Sequence, residues 1–317
     1  MENDEKSTVN ESASSQSNAS EWEKGYTLLD LYTIESYVNI GGMGHVYCVR
    51  HRDWKVQMAM KMYRDIKHKE AFESECEHWI KLGLHPNIVS CYYVRDINGN
   101  PAIFAEWMDG GSLRDWIYHD PDKKYGRLYE ELEDVTDDDE VAKKEAMQHI
   151  LERILTICIQ TVRGLHYAHE QGLVHQDVKP ENLLLTADGK AKVLTAKIAD
   201  FGIADAKAKI AGDNDTNMFG SGTIIVKGHA CTPQYCSPEQ KSPERPFVLT
   251  RRTDIWSWAL TALEMFLGDR PWTDGSVAGR FCDAYCKASM IPVPEAMETL
   301  LSREQQLDQY GSVMMER

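Results

Sequence analysis

The chain has 317 residues, of which 42% are hydrophobic and 27% are charged, and its formal net charge is −15. The length predicts about two domains or one large two-lobed unit, and the composition is that of an ordinary globular protein. The acidic balance argues against nucleic acid or an anionic membrane surface as the main partner. The sequence has no apolar run of about 18 residues, which a bilayer-spanning helix needs, so membrane insertion is not expected.

The amino-terminal segment and the cysteines bear on the setting of the protein. Residues 1–23 are rich in Ser, Asn and Glu, which predicts a disordered tail, and they lack the apolar segment of a signal peptide. The eight cysteines include no Cys-x-x-Cys pair and mostly lie in apolar or helical patterns. This usage predicts buried, reduced thiols and a cytoplasmic location. Cys282 and Cys286 are one helical turn apart, but no further ligand accompanies them, which disfavours a metal site.

Strand patterns within residues 24–108 predict a small unit rich in β-structure. Residues 70–84 are a predicted helix, because their apolar side chains recur near the helical period. Strand-length runs bounded by turn residues lie at 46–49, 56–62, 88–94 and 102–107.

Long helical patterns replace the strands after Gly110-Gly111, which marks the predicted boundary between two lobes. An acidic segment at 119–145 is predicted to be an insertion, and such charge runs are more often solvated than dedicated to docking. The predicted helices lie at 111–118, 145–171, 253–266, 278–288 and 295–305.

The most informative stretch is 173–184, which reads Leu-Val-His-Gln-Asp-Val-Lys-Pro-Glu-Asn-Leu-Leu. Asp177, Lys179 and Asn182 place a proton acceptor, a cation and a metal ligand in one short loop. Asp200, in an Asp-Phe-Gly run, offers a carboxylate for the same metal. Phosphoryl transfer from a magnesium nucleotide requires this set, because its catalysis consists of positioning and charge stabilisation. A buried polar turn between two strands is a much poorer explanation.

These two motifs resemble the catalytic loop and the metal-binding loop of the protein kinase family. The lysine two residues after the aspartate resembles the Ser/Thr branch. The resemblance implies a two-lobed α+β fold over 24–305, with an N-lobe at 24–108, a C-lobe at 109–305 and a tail at 306–317. It also implies an enzyme that transfers the γ-phosphoryl group of ATP, with Mg²⁺, to Ser or Thr hydroxyls of protein substrates.

A glycine-rich loop is implied between two strands of the N-lobe. Its backbone would close over the phosphates, and a Cβ atom would hold the backbone away from them. Gly41 and Gly44 match the family's second and third glycines, whereas Asn39 replaces the first. The residues implied to bind ATP here are Val38, Asn39, Ile40, Gly41, Gly42, Met43, Gly44, His45 and Val46.

Met58-Ala59-Met60-Lys61 resembles the strand that carries the family's ATP lysine. Glu75 is the implied carboxylate that orients Lys61, with Glu73 and Glu77 as alternatives. The segment at 103–113 resembles the family's linker between the lobes, whose backbone reads the adenine edge. Ala105 would limit the depth of the adenine pocket. The residues implied to form this pocket are Val46, Ala59, Ala105, Glu106, Met108 and Leu184.

The resemblance also assigns roles in the reaction. Asp177 would accept the proton of the substrate hydroxyl, and Lys179 would offset charge on the phosphoryl group. Asn182 and Asp200 would hold Mg²⁺, which prefers hard oxygen ligands. Thr232 would hydrogen-bond near both catalytic side chains.

Some positions depart from the family pattern. Gln176 replaces the Arg that receives an activation-segment phosphate, so we expect activity that does not depend on phosphorylation there. Cys231 replaces a usual Gly, and the family's closing Arg is missing. These departures leave a pseudokinase scaffold as the alternative. A small-molecule phosphotransferase is disfavoured by the peptide-docking run Thr-Pro-x-Tyr at 232–235, and a tyrosine kinase by Lys179.

Overall fold

The computed structural model of the chain describes residues 22–40, 44–62, 76, 79–80, 82–97, 99–118, 122–136, 138–187, 194–201, 224–226, 231–242 and 247–280. The elements before residue 107 form one sheet, and those after residue 112 form a helical lobe with short strands. Glu73, Glu75 and Glu77 lie outside the described residues, as do Cys282 and Cys286.

The N-lobe is an antiparallel sheet of six strands in the order β1-β2-β3-β4-β6-β5. Side chains alternate between the two faces of a strand, so in β4 the methionines enter the sheet core while Ala59 and Lys61 face the other way. The strand bounds are β1 Thr27–Leu28, β2 Tyr32–Ile40, β3 Gly44–His51, β4 Gln57–Met62, β5 Cys91–Ile97 and β6 Asn100–Glu106.

The strands predicted at 46–49 and 56–62 are confirmed, and the first is longer than expected. The prediction of a strand from residue 88 was wrong at its start: residues 86–87 form a turn, Ile88 makes only an isolated bridge to Ile198, and the regular strand begins at Cys91. In that turn the Asn87 backbone donates to His85 Nδ1 at 3.1 Å, and the Asn87 amide donates to Ala196 O at 3.1 Å. In the predicted helix at 70–84, the described residues 76, 79, 80 and 82 are helical, whereas residues 83 and 84 are not, so the predicted end was wrong.

The C-lobe contains three helices within the described ranges: α1 Leu113–Ile117, α2 Glu140–Glu170 and α3 Arg251–Leu267. The predicted start of α2 at residue 145 was wrong, because Asp139 caps the helix earlier by accepting from Ala142 N at 2.9 Å. None of these helices is long and apolar enough to cross a bilayer.

Shorter elements complete the C-lobe. Two antiparallel pairs join β7 Leu183–Ala187 to β8 Leu194–Ile198, and β9 Ile224–Val226 to β10 Phe247–Leu249. The main core lies where α1, α2 and the β7–β8 pair meet. Helix α2 approaches β8 closely at Gly164, where a Cβ atom would lie 2.9 Å from Ile198 Cδ1.

The acidic insertion is not simply a solvated charge run. Leu128 and Tyr129 are buried in the C-lobe core, and the Tyr129 hydroxyl donates to Met265 O at 2.6 Å. Arg153 of α2 donates to the Glu131 carboxylate at 2.8 Å. The acidic side chains at 130, 133, 134, 138, 139 and 140 are exposed, as expected, while the adjacent apolar residues anchor this part of the insertion in the core.

The cysteines were predicted only in part. Cys48, Cys76 and Cys158 are buried and are not in disulfides, as expected. Cys231 and Cys236 instead form a disulfide, with Cα atoms 5.7 Å apart. The expectation of reduced thiols was wrong for this pair, because a turn at 233–235 brings the two side chains together.

Candidate active site

The loop before Asp177 is held by one buried carboxylate at the start of α3. Asp254 accepts from His175 N at 2.8 Å and from Gln176 N at 2.7 Å, and it lies 2.7 Å from His169 Nε2. Gln176 has a positive φ of 69°, and its side chain is buried. These contacts fix the backbone that presents Asp177.

Asp177 is the centre of the candidate site and is only 2% exposed. Its Oδ1 accepts from Thr232 N at 3.0 Å and from Thr232 Oγ1 at 2.7 Å, and its Oδ2 accepts from Lys179 Nζ at 2.6 Å. Lys179 Nζ also donates to Thr232 Oγ1 at 2.7 Å. The structure therefore brings together three residues that the sequence placed in the catalytic group.

Asn182 and Asp200 are neighbours through the backbone, since Ala199 N donates to Asn182 O at 2.8 Å. The Asn182 amide nitrogen donates to Asp177 O at 2.8 Å, which leaves the amide oxygen facing away from that contact. Phe201 packs edge-on against His175 and is buried in the C-lobe core.

Lys61 of the N-lobe sheet reaches Asp200 of the C-lobe, with Nζ 2.8 Å from Oδ1. Both side chains are mostly buried, with 15% of Lys61 and 24% of Asp200 exposed. An amide oxygen and a carboxylate are hard ligands that suit Mg²⁺. The residues present at 182 and 200 therefore fit the ion that the sequence implied.

Four of the six residues predicted to contact adenine fall into one apolar cluster. Ala59, Ala105, Met108 and Leu184 belong to it, together with the buried Ile103. In the sheet, Ala59 of β4 is paired with Ala105 of β6. The cluster thus joins the N-lobe sheet, the linker and β7 where the two lobes meet.

The glycine-rich segment is described on both sides of its turn. Val38, Asn39 and Ile40 end β2, and these three pair with Val46, His45 and Gly44 of β3. Gly41, Gly42 and Met43 lie outside the described residues. The predicted strand-turn-strand is therefore confirmed in its two strands.

Sequence reasoning missed an ion pair that ties the linker to the C-lobe. Lys197 Nζ of β8 lies 2.7 Å and 2.8 Å from the two carboxylate oxygens of Glu106, the last residue of β6. Glu106 Oε2 also accepts from Ser90 N at 3.2 Å. The sequence signal for this ion pair was a single lysine in the largely apolar strand β8.

A second group that was missed is a buried carboxylate in α3. Glu264 is fully buried, and its two oxygens accept from the hydroxyls of Tyr118 and Tyr235, each at 2.6 Å. Burial raises the pKa of Glu264 above its usual value, although both hydroxyls favour the ionised form. A glutamate inside an apolar helical run was the signal.

A segment at 231–236, which we call the docking loop, leads away from Thr232. Gly275 N donates to Pro233 O at 2.9 Å, and Trp272 Nε1 donates to Gln234 O at 2.9 Å. Ser257 Oγ donates to Tyr235 O at 2.7 Å. Successive carbonyl groups of the loop are thus fastened to the body of the C-lobe.

The fold and the position of Asp177 and Asp200 at the junction of the lobes are those of the two-lobed kinase fold. A family model described as the protein kinase domain matches residues 32–309. The chain therefore belongs to the protein kinase family.

Curated relatives agree with that membership. The serine/threonine-protein kinase BCK1/SLK1/SSP31 of Saccharomyces cerevisiae is 28% identical over 273 residues, which are 83% of this chain and 15% of that protein. The mitogen-activated protein kinase kinase 1 of Arabidopsis thaliana is 28% identical over 285 residues, which are 88% of this chain and 67% of that protein. The serine/threonine-protein kinase PknJ of Mycobacterium tuberculosis is 27% identical over 255 residues, which are 78% of this chain and 36% of that protein.

Proposed function

We propose that the chain is an active Ser/Thr protein kinase that transfers the γ-phosphoryl group of ATP, with Mg²⁺, to protein substrates. The observation that carries this proposal is the group formed by Asp177, Lys179 and Thr232 beside the Lys61–Asp200 pair. A proton acceptor, a cation and a metal-binding carboxylate lie at one junction between the lobes. The Ser/Thr assignment is supported by the named activities of the relatives.

The nucleotide side of the reaction falls to residues of both lobes. Lys61 would neutralise the phosphates, and Asp200 and Asn182 would hold Mg²⁺, which would shield charge on the transferring group. The apolar cluster around Ala105 would take the adenine ring. Glu106 and Met108 would supply backbone groups to its edge.

The acceptor side of the reaction falls to the C-lobe alone. Asp177 is placed to accept the proton of a substrate hydroxyl, and Asp254 orients the loop that carries it. Lys179 contacts Asp177 and is placed to turn toward the transferred phosphoryl group. Thr232 holds the Asp177 carboxylate in one orientation through its backbone and its hydroxyl.

A pseudokinase scaffold is the alternative function. Gln176 and Asn39 favour it, since both depart from the family pattern at positions next to the chemistry. Lys61, Asp177 and Asp200 are all present and contact other residues of the candidate site. We give these contacts more weight than the departures. Gln176 is neutral and cannot make the charge-assisted contact that an Arg makes with a phosphate, so we propose activity without activation-segment phosphorylation.

The test combines transfer and binding. The purified chain is incubated with Mg²⁺ and radiolabelled ATP in the presence of a basic and an acidic protein substrate, and the labelled product is subjected to phosphoamino-acid analysis. Labelled Ser or Thr supports the proposal. ATP binding measured by calorimetry without transfer to either substrate would establish the scaffold instead.

A further inference from the structure

We propose that Cys231 and Cys236 form a reversible thiol–disulfide site that controls the position of Thr232, and through it phosphoryl transfer to protein substrates. The inference rests on the proposed function, because it concerns the acceptor side of the same site. The molecule that would act on this site is a dithiol reductant. No part of the nucleotide side takes part in it.

The disulfide encloses the residues that link the catalytic group to the C-lobe. Cys231 and Cys236 are bonded, and Thr232 to Tyr235 lie between them. Cys236 is 1% exposed, and its backbone N–H donates to Thr232 O at 3.1 Å. The following residue, Ser237, is fully buried and donates to Gln240 Oε1 at 2.9 Å. The Cys236 end of the docking loop is therefore fixed by the core.

The Cys231 end depends more on the disulfide. Cys231 is half-buried and directly precedes Thr232. The contacts of the Thr232 side chain are to Asp177 and Lys179, which are the groups it has to position. A covalent bond to the buried Cys236 removes conformational freedom from Cys231, so less entropy is lost when the backbone at Thr232 is ordered. The disulfide therefore restricts the backbone next to Thr232, which favours the Thr232–Asp177 contact.

The redox step balances with one dithiol. A thiolate of the reductant attacks a sulfur atom of the disulfide, and the mixed disulfide resolves within the reductant. Two electrons and two protons pass to the Sγ atoms of Cys231 and Cys236, which become thiols, while the dithiol becomes a disulfide. Because Cys231 is only half-buried, the reductant can reach the disulfide at this residue.

Other cysteines of the described residues are poor competitors for such chemistry. Burial raises the pKa of the Cys48 thiol and of the Cys158 thiol to about 11. Thiolate is the reactive form of cysteine, so these two side chains react slowly near neutral pH. Cys48, Cys76, Cys91 and Cys158 are not in disulfides, and a dithiol reduces disulfides rather than thiols, so among the described residues the Cys231–Cys236 bond is the group that responds to it.

The experiment compares the full chain before and after treatment with dithiothreitol. Alkylation and peptide mapping identify the disulfide, and kcat with a protein substrate is measured beside ATP affinity. We expect reduction to lower kcat about five-fold, equivalent to about 1 kcal/mol, with ATP affinity changed less than about two-fold. The Cys231→Ser/Cys236→Ser variant should show the lower kcat and no response to the reductant. Cys158→Ala is the matched control and should keep the full response.

Amide hydrogen exchange over 231–236 supplies a readout that does not need activity. Faster exchange after reduction supports the inference, even if neither form transfers phosphate, a result that defeats only the proposed function. Three results would overturn the inference: alkylation of both cysteines without reductant, unchanged exchange, or a measurable kcat that is equal in the oxidised and reduced forms. Thermal melts of each variant separate loss of fold from loss of positioning.

Discussion

The two sides of the candidate site are built in different ways. On the nucleotide side, the ion pairs Lys61–Asp200 and Lys197–Glu106 connect the lobes, and their side chains are 14–24% exposed. On the acceptor side, Asp254 is fully buried and holds the catalytic loop within the C-lobe. The acceptor geometry is thus set by one lobe, whereas the nucleotide geometry depends on how the lobes approach each other.

This difference has an energetic consequence. Both pairs are mostly buried, and the cost of removing their charges from water offsets much of their attraction, so contacts between the lobes can open and close at small cost. Removing a buried partner of several donors is far more damaging, at about 3–5 kcal/mol. Substitutions on the two sides should therefore differ in both magnitude and kind.

The largest effect is expected from the acceptor side. Asp177→Asn should lower kcat by about 10²–10⁴-fold, because loss of a general base has that cost, while ATP affinity stays near that of the unchanged chain. Steady-state kinetics and calorimetric ATP binding measure the two quantities. Asp53→Asn, at an exposed position, is the control. A variant that keeps more than half of the activity would contradict the assignment of Asp177.

Asp254→Ala tests whether the acceptor side is held by the fold. We expect the free energy of unfolding to fall by about 3–5 kcal/mol, because two buried backbone donors and His169 lose their partner. Urea denaturation followed by circular dichroism measures the change. Glu145→Ala, at an exposed position of α2, should change it by less than about 0.5 kcal/mol. Equal effects of the two variants would mean that Asp254 does not anchor the loop.

Ala105→Phe tests the apolar cluster of the nucleotide side. A phenyl ring there should reject ATP analogues with a bulky group on the adenine by about ten-fold or more, because overpacking costs about 1–3 kcal/mol, while ATP affinity stays near its original value. Competition binding with one bulky and one unmodified analogue gives both numbers. If the bulky analogue binds both forms equally, the linker register is misplaced.

The smallest effect is expected at Lys197. Lys197→Met should raise KM for ATP about three-fold, as expected for a partly exposed ion pair, because Glu106 loses its tie to β8. The kcat with saturating ATP should change by less than about two-fold. Lys143→Met removes a surface pair with Glu140 on α2 and should leave KM unchanged. A fall in kcat without a change in KM would place Lys197 on the acceptor side.

Local patterns predicted much of this arrangement. The run Met58-Ala59-Met60-Lys61 gave the strand that carries Lys61 through its resemblance to the family, and the spacing of Asp177, Lys179 and Asn182 gave a loop whose members meet because they are close in sequence. Thr232 was predicted through a motif, although it lies 55 residues from Asp177. Each of these residues carries its signal in its own short segment.

The features that were missed depend on tertiary contacts. Lys197 and Glu106 are 91 residues apart, and each alone resembles a charge at a strand edge. Glu264 is buried only because two tyrosines from other segments reach it. The Cys231–Cys236 bond was missed because the spacing matches no helical or metal-binding pattern, and only the turn between them brings the sulfur atoms together.

Gly164 limits how this protein can be altered. Replacing a glycine inside a helix by alanine ordinarily stabilises a protein, since glycine costs about 1 kcal/mol there. In α2 the added methyl group would lie 2.5 Å from the carbonyl oxygen of Asn87. A glycine-to-alanine substitution at position 164, which is a common way to raise thermostability, would thus force apart α2 and the turn at 85–88. Libraries that vary α2 should leave this one position unchanged, because glycine, although a poor helix former, is the residue that lets the helix and the turn touch.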